Sequence, residues 1–504
     1  MLVRTQDLKQ GEVTEDNLQI YNGLDCCITM EVFEELSTLS NAPPPVYAFS
    51  RALQAPILEM SLRGFRIDEY ERQSSLASLR EKRTKLNSAL QLLAYAVWDK
   101  PLNPNVGAHK QQQEFFYRHM RVPEIWSSQK GERKLRMNRE TLEKIEVYLY
   151  ARPIVACILA IRDLNKSIEF FETELDSDGR FRTSYNIGGT ESWRLSSSKS
   201  ATGTGGNAQN LKRDDDIAKG ELSVRKPFVA DQGMKLCVLD LEQAESREVG
   251  LIFGTLFNDW RFLDACEQGD LHTTTARLIW PELVHDRKSA EAHFYRHFTY
   301  RDMSKRGGHL TSYMGTAWTA ARSLKVPLKL MEIFQSAFAT GPKAAFPSFP
   351  RWWRWVAQEL QTKHQITNSF GVTRTFFGRP NDDTTLREAI AHSPQSSTAM
   401  RTNLALWRIW RYLPHVQLLA QTHDSVTFQF RDRDDNYTKE VLRDARALMS
   451  TPLHLPNGRI FDVPSDCKIG WNWGAYDAKY NPNGLRKWKG SDERKRLDGV
   501  DRIL

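Results

Sequence analysis

Two apolar stretches far apart in the chain each deliver one carboxylate. Met234-Lys-Leu-Cys-Val-Leu-Asp240 reads as a strand running into an acidic residue, and Gln417 to Phe430 carries a second strand pattern around His423-Asp424-Ser425. If a fold makes these strands neighbours, it makes their carboxylates neighbours too. An aspartate at a strand end is, on its own, mostly a turn residue or a helix cap. A pair brought from separate strands is also what two closely spaced divalent cations need for phosphoryl transfer to a hydroxyl, because such ions take hard oxygen ligands. Asp240 and Asp424 are therefore the first candidate site.

The chain between them reads as mostly helical. Arg301, Lys305, His309 and Tyr313 recur every four residues. At about 100° per residue each step advances about 40°, so the four share an arc of about 120°. Two cations, an imidazole and a phenol in that order suit a nucleotide laid along a helix; a solvated basic face is the plainer alternative. Gly307 and Gly308 in the same segment each cost about 1 kcal/mol relative to alanine and point to a kink or a close backbone contact. Upstream, Gly188 to Gly206 is rich in Gly, Ser and Thr with Arg194 and Lys199 embedded, a loop composition that suits either a phosphate backbone or plain surface.

Asn22 to Leu39 is spaced as a helix capped by Asn22, and the run Asn41-Ala-Pro-Pro-Pro-Val46 breaks it, which places a boundary near residue 40. Residues 47 to 95 read as long amphipathic helices that include the charged run Glu69 to Arg83. Residues 102 to 175 stay helical and basic, with loops at Asn103 to Asn105 and around Ser127 to Arg133. At 504 residues the chain has length for about three lobes with large cores. A hydrophobic share of 40% and a charged share of 26% exclude wholesale disorder. No stretch approaches the roughly 20 apolar residues of a membrane span, and Arg4, Asp7 and Lys9 stand where a signal peptide is apolar, so we expect a soluble cytoplasmic protein with no membrane partner. Six cysteines without C-x-x-C pairing predict reduced, mostly buried thiols. Seventy basic against 62 acidic side chains leave a net charge of +8, which suits a polyanionic partner. From Gly484 to Leu504 seven Lys or Arg face four Asp or Glu, 7 − 4 = +3, and this reads as a solvated tail.

These residues carry a resemblance. Asp240-Leu-Glu-Gln-Ala-Glu-Ser-Arg247 resembles motif A of family A DNA polymerases, Arg301-x-x-x-Lys305 through Tyr313-Met-Gly315 resembles motif B, and His423-Asp424-Ser425 resembles motif C, in the family's order and spacing. Arg194 to Ser197, Asn207 to Asn210, Asp270-Leu-His272, Gly371 to Arg379 and Arg387 to Gln395 are similar as well, over roughly residues 45 to 480. The resemblance implies an α+β right-hand fold: thumb about 75–180, fingers about 255–395, palm about 45–74, 181–254 and 396–504, preceded by residues 1–40 as a remnant of an exonuclease-like domain. It implies that Asp240 and Asp424, with the Leu241 carbonyl, hold two magnesium ions for which manganese would substitute. Arg301, Lys305 and His272 would hold the triphosphate, Lys305 would protonate pyrophosphate, and Glu245 would be the steric gate beneath the sugar. His309 and Tyr313 would border the nucleotide, while Arg194, Asn207, Gln209, Asn210, Arg387, Gln395 and His423 would touch primer or template. The implied activity is template-directed DNA synthesis from dNTPs on primer-template DNA, in the setting of bacteriophage replication. A single-subunit RNA polymerase shares the palm, but Glu245 argues against it. A non-catalytic DNA-binding subunit would not need Asp240, Asp424, Arg301 and Lys305 together.

Two positions depart from the family pattern. His309 stands where Phe or Tyr is usual, and Ser425 where Glu is usual; Glu242, two residues from Asp240, either shares its strand face and restores the charge or is simply exposed at the surface. Tyr21-Asn-Gly-Leu-Asp25 resembles the last motif of the family's 3′-to-5′ exonuclease, but only about 20 residues precede it, too few for the earlier carboxylate motifs. This chain alone is therefore not expected to proofread, and a separate exonuclease polypeptide, a processivity factor or a helicase are the further partners implied. Because His309→Phe restores the ring usual at this position, it should change discrimination against dideoxynucleotides. Single-nucleotide incorporation assays check this, and an unchanged discrimination ratio contradicts it.

Overall fold

The computed structural model describes residues 15–39, 44–129, 132–200, 202–212 and 222–488. Ahead of Leu53 the described chain is two helices, α1 (Glu15–Leu39) and α2 (Pro44–Ala52). Asn22 lies inside α1 instead of capping it, since nothing from Glu15 to Tyr21 breaks a helix and an interior Asn costs only about 0.7 kcal/mol. Pro44 opens α2, where a missing N–H is harmless, and the rest of the expected break, residues 40–43, lies outside the described residues. The basic C-terminal run beyond Trp488 lies outside the described residues.

Residues from Leu53 onward fold about a five-stranded antiparallel sheet made of β1 (Met234–Leu241), β2 (Gln417–Thr422), β3 (Ser425–Arg431), β4 (Ser465–Gly470) and β5 (Arg486–Lys487), in the order β2-β3-β1-β4-β5. β1 is apolar along nearly its whole length because both its faces are covered. On one side Leu236 joins Phe65, Phe181, Phe228 and Trp473, whose ring stacks on Phe65 at 4.8 Å.

A helical arm leaves the sheet. Asp68 caps α3 (Glu69–Tyr95) by accepting from the Glu71 N–H at 3.0 Å, with Glu69 and Glu71 at the positive end of the helix dipole. The stripe Leu76, Leu79, Leu90 and Ala94 is buried, as is Ile158, Ile161, Ile168 and Phe171 on α5 (Arg152–Glu172); α4 (Arg139–Ile145) lies between them in sequence. Arg72, near the start of α3, donates to the Phe171 and Thr173 carbonyls at the end of α5, each at 2.8 Å, so the two helices run antiparallel. Further out, the buried Arg162 guanidinium donates to the carbonyls of Pro104 at 2.7 Å and Met137 at 2.9 Å and to Gln112 at 2.8 Å, which ties the outer loops to α5. The expected loop around Ser127 to Arg133 is instead a hairpin of Trp126–Gln129 with Glu132–Leu135. Its strands are almost wholly polar and show no apolar alternation, so periodicity could not reveal them.

The remaining helices include α6 (Ala244–Phe257), α7 (Leu271–Ile279), α8 (Tyr300–Ser312), α9 (Ala317–Leu324), α10 (Asp383–Tyr412) and α11 (Asp435–Met449). An aromatic core of Phe253, Phe262, Phe334, Phe338, Phe349 and Trp352 lies among the segments from α6 to residue 390. It explains the glycine pair: a Cβ on Gly307 would sit 2.8 Å from the Phe334 ring and one on Gly308 would sit 3.2 Å from Phe338. They serve close approach in an unbroken helix, not a kink. Beneath the sheet Glu248 of α6 and Arg401 of α10, each 1% exposed, pair at 2.6 Å. Arg401 also donates to the Thr451 carbonyl at 2.6 Å and lies between the Phe370 and Phe461 rings. Removing one member of such a pair strands the other charge at a cost of about 3–5 kcal/mol.

All six cysteines are free; Cys237, Cys266 and Cys467 are buried, Cys157 is half-buried, and Cys26 and Cys27 are exposed, so fewer are sequestered than composition suggested. No helix among the described residues is long and apolar enough to cross a membrane. His392 on α10 is buried, and that burial, with the nearby Arg374 charge, pushes its pKa from 6.5 down to about 4. The folded state therefore refuses a proton that the unfolded chain accepts: its contribution is complete above pH 6.5 and is lost as pH falls toward 4, by on the order of 3 kcal/mol. Urea unfolding should show wild type losing more stability than His392→Leu across that window. Parallel pH profiles would contradict the assignment.

Candidate active site

His423 and Asp424 form the two-residue turn that joins β2 to β3, with Thr422 opposite Ser425 and His423 in the left-handed region at φ 51°. The strand pattern of Gln417 to Phe430 is thus a pair of strands, and its hairpin tip carries Asp424. Ser425 serves the turn, its hydroxyl donating to the Thr422 carbonyl at 2.8 Å. On β1, Asp240 stands opposite Ser425, and the Leu241 N–H donates to the Asp424 carbonyl at 3.1 Å. Two adjacent strands therefore deliver Asp240 and Asp424 to the same end of the sheet.

The Glu242 N–H bonds the Pro464 carbonyl at 2.8 Å, which extends the register that sets Asp240 opposite Asp466 and Leu241 opposite Ser465, before the left-handed Gln243 turns the chain into α6. Half-buried Glu242 thus stands two residues beyond Asp240 on the same ladder, and its charge acts on Lys487 together with that of Asp466. Asp466 of β4 is the direct cross-strand partner of Asp240 and accepts from Lys487 at 3.0 Å. Sequence reasoning missed Asp466, because Ser-Asp-Cys-Lys-Ile-Gly carries too weak a strand signal to set a register.

Glu245, in the first turn of α6, accepts from the Tyr313 hydroxyl at 2.5 Å on one oxygen and from Arg194 on the other. Arg194 Nη2 also lies 3.8 Å from Asp424 Oδ1. Burial, and then the Glu245 charge, hold the Tyr313 pKa well above its usual value, so it stays a donor. Arg194 comes from the Gly-, Ser- and Thr-rich stretch, which is not all loop: Ser196–Lys199 pairs with Thr183–Asn186. The Ser197 hydroxyl meets Asn207 Oδ1 at 2.5 Å and Gln209 Oε1 at 2.8 Å, while Gln209 Nε2 donates to Gln421 at 2.9 Å. Gln209 thus braces β2, and Asn207 holds Gln209 and Ser197 in place by accepting from the Gln209 N–H at 3.0 Å. Asn210 and His423 are exposed, Gln395 is half-buried on α10, and Arg387 lies 3.9 Å from Asp383.

On α8, capped by Thr299 and Asp302 in a reciprocal box, Lys305 and His309 are exposed and Arg301 is half-buried. Tyr313 sits just past the helix end, its ring 5.2 Å from that of His309. Arg301 is gripped in bidentate fashion by Asp270, through Nε at 2.7 Å and Nη2 at 2.9 Å. Asp270 also caps α7 by accepting from the Thr273 N–H at 3.0 Å. Burial pushes its carboxyl up, but these bonds from Arg301 and Thr273 outweigh it and hold the pKa far below the usual range. Two residues on, burial pushes the His272 pKa down to about 4; the Asp270 charge opposes that shift and the Arg301, Lys305 and His309 charges add to it. At neutral pH His272 can offer an anion an N–H but not a charge. Asp270 was legible as part of a motif, yet its grip on Arg301 was not, since it needs the approach of α7 to α8.

Among the described residues no group of three or more His, Cys, Asp or Glu side chains could hold a metal ion by itself. Asp240, Asp424 and the Leu241 carbonyl are hard oxygen donors all the same. They suit magnesium, which keeps several water or phosphate ligands and is commonly held by one or two carboxylates. In α1, Tyr21 and Asp25 lie one turn apart, and the Asp25 charge raises the Tyr21 pKa.

The family described as DNA polymerase family A matches residues 73–475. Among relatives, DNA polymerase I of Chloroflexus aurantiacus is 24% identical over 494 residues, covering 92% of this chain and 47% of the relative. The thermostable DNA polymerase I of Thermus thermophilus is 25% identical over 339 residues, 65% of this chain and 35% of the relative. The chain thus spans about half or less of the length of these relatives. Among solved structures, the POL domain of Pol1 from M. smegmatis, in complex with DNA primer-template and dNTP, superposes with a TM-score of 0.64 at 20% identity, covering 83% of this chain and 69% of that one.

The electrostatics of the α7–α8 junction can be read directly. In a histidine-labelled NMR titration His272 should titrate near pH 4, and Asp270→Asn should move it lower, because the carboxylate is what opposes the shift. A His272 value near 6.5 would contradict this arrangement.

Proposed function

The chain belongs to DNA polymerase family A, and from that premise we propose that it extends a primer strand on a DNA template, joining dNMP from a dNTP to the primer 3′-hydroxyl and releasing pyrophosphate. The observation that carries the proposal is the pairing of β1 with β3, which brings Asp240 and Asp424 together beside Glu245, Tyr313 and Arg194. We assign residues about 75–180 to a thumb, about 255–395 to fingers, about 45–74, 181–254 and 396–504 to a palm, and 1–40 to a remnant of an exonuclease-like domain.

Asp240, Asp424 and the Leu241 carbonyl would hold two magnesium ions, or manganese in their place, which supply Lewis acidity to the attacking hydroxyl and the departing phosphate. The chain's own groups do the positioning. Arg301 and Lys305 face the triphosphate, Arg301 pre-oriented by Asp270 and Lys305 exposed and free to deliver a proton to pyrophosphate. Neutral His272 adds an N–H. Glu245, held by both Tyr313 and Arg194, forms a fixed floor under the sugar that a 2′-hydroxyl would strike. Tyr313, its hydroxyl engaged, turns its ring toward the nascent pair, with His309 beside it. Arg194, Asn207, Gln209, Asn210, Arg387, Gln395 and His423 would line primer and template, and the net charge of +8 suits a polyanion held without sequence readout. The partners are then primer-template DNA and dNTPs, with a separate exonuclease, a processivity factor or a helicase as accessory proteins. The bacteriophage setting rests on the resemblance of the motifs alone, and the relatives described above are bacterial.

Primer extension on a labelled primer-template with magnesium should proceed with dNTPs and not with rNTPs, and Asp424→Ala should slow it by about 10³-fold or more while duplex binding persists. Extension with rNTPs alone would favour an RNA polymerase. Tight DNA binding without any extension would favour a non-catalytic subunit.

A further inference from the structure

Two ion pairs join the outer part of the helical arm to the helical lobe opposite. Arg322 Nη2 of α9 lies 2.9 Å from Glu140 Oε1 of α4, and Lys325 Nζ, at the C-cap of α9, lies 2.7 Å from Glu146 Oε2, at the C-cap of α4. Three of the four partners are also steadied within their own lobes. Arg322 lies over the Trp318 ring at 5.3 Å, Glu140 receives a second cation from Lys144 at 2.8 Å, and the Lys325 carbonyl accepts from Arg296 at 3.1 Å. The matching is ordered by sign: both acids stand on the arm and both bases on the lobe.

These pairs close a ring. The arm is rooted beside the sheet through α3 and α5, whose inner ends share one apolar cluster with β1. The lobe is rooted through α6, which packs on α10 beneath the sheet. Both roots pack on the sheet that carries Asp240 and Asp424, and the ion pairs complete the circuit of contacts. We infer that Arg322–Glu140 and Lys325–Glu146 form a clasp that closes this ring around duplex DNA, so that the protein retains its primer-template between successive additions. The occupant rests on the polymerase reading above; the clasp itself does not. Exposed ion pairs are individually weak and are screened by salt, so two of them in parallel make a closure that opens for loading and is sensitive to ionic strength. The same charges bias the open state, since Glu140 and Glu146 repel phosphate while Arg322 and Lys325 attract it.

The test uses the full chain with the exposed thiols removed by Cys26→Ser and Cys27→Ser. In that background Glu146→Cys with Lys325→Cys should be joined by a short bismaleimide in the free protein, and neither single cysteine should be. Loaded first on primed circular DNA and then cross-linked, the complex should survive 1 M salt at least about 100-fold longer than without cross-linker, whereas linear primer-template should still slide free. Independently, Arg322→Glu should shorten the bound lifetime at low salt by roughly two- to tenfold, and adding Glu140→Arg should restore it. A protein that binds and extends DNA but does not cross-link, or whose cross-linked form leaves circular DNA as fast as the open form, overturns the clasp alone. A protein that cross-links but binds no primer-template overturns the DNA occupant together with the polymerase reading.

Discussion

The antiparallel register of β1 against β3 is the constraint on which the site depends. Seven residue pairs run from Asp240 opposite Ser425 to Met234 opposite Arg431, and they leave no freedom in where Asp240 stands relative to the hairpin tip that carries Asp424. A slip of one residue would send Asp240 through the sheet and bring Leu239 or Leu241 to its place. Burial of β1 on both faces enforces the register, because any slip would also expose Leu236 and pull apart the aromatic cluster beneath. Bringing like charges together has an electrostatic cost, and the Arg194 guanidinium beside Asp424 offsets it in the protein without substrate.

That offset links the carboxylates to everything above them. Arg194 is shared between Asp424 and Glu245, and Glu245 is shared between Arg194 and Tyr313. Three segments distant in sequence thus meet through one carboxylate, so whatever displaces Arg194 from Asp424 also changes what holds Glu245 and frees or tightens Tyr313. A parallel arrangement exists at α7 and α8, where Asp270 is at once a helix cap and the counter-ion of Arg301. Both devices use a partly buried acid to fix an arginine's direction, which would lower the ordering cost of binding an anion there.

Much of this was legible in the sequence, for identifiable reasons. The four-residue spacing of Arg301, Lys305, His309 and Tyr313 predicted a shared helix face, and α8 places the first three on one helix with Tyr313 at its end. The apolar run before Asp240 predicted a strand, and β1 spans it. What failed were features set by long-range geometry. The hairpin at Trp126–Leu135 is polar and has no periodic signal, and Asp466 becomes a neighbour of Asp240 only through the β1–β4 register. The glycine pair in α8 was flagged correctly as anomalous, but only the packed rings of Phe334 and Phe338 decide between a kink and close contact.

We propose that Asp240 and Asp424 together form a two-ion site for nucleotidyl transfer. Bound Mn²⁺ can be counted by electron paramagnetic resonance in complexes with primer-template and a non-hydrolysable dNTP, comparing wild type with Asp240→Asn and Asp424→Asn. Two ions are expected per wild-type complex, with the loss of at least one in each variant and the nucleotide still bound. An unchanged count in both variants would place the metal elsewhere and rule out the paired site.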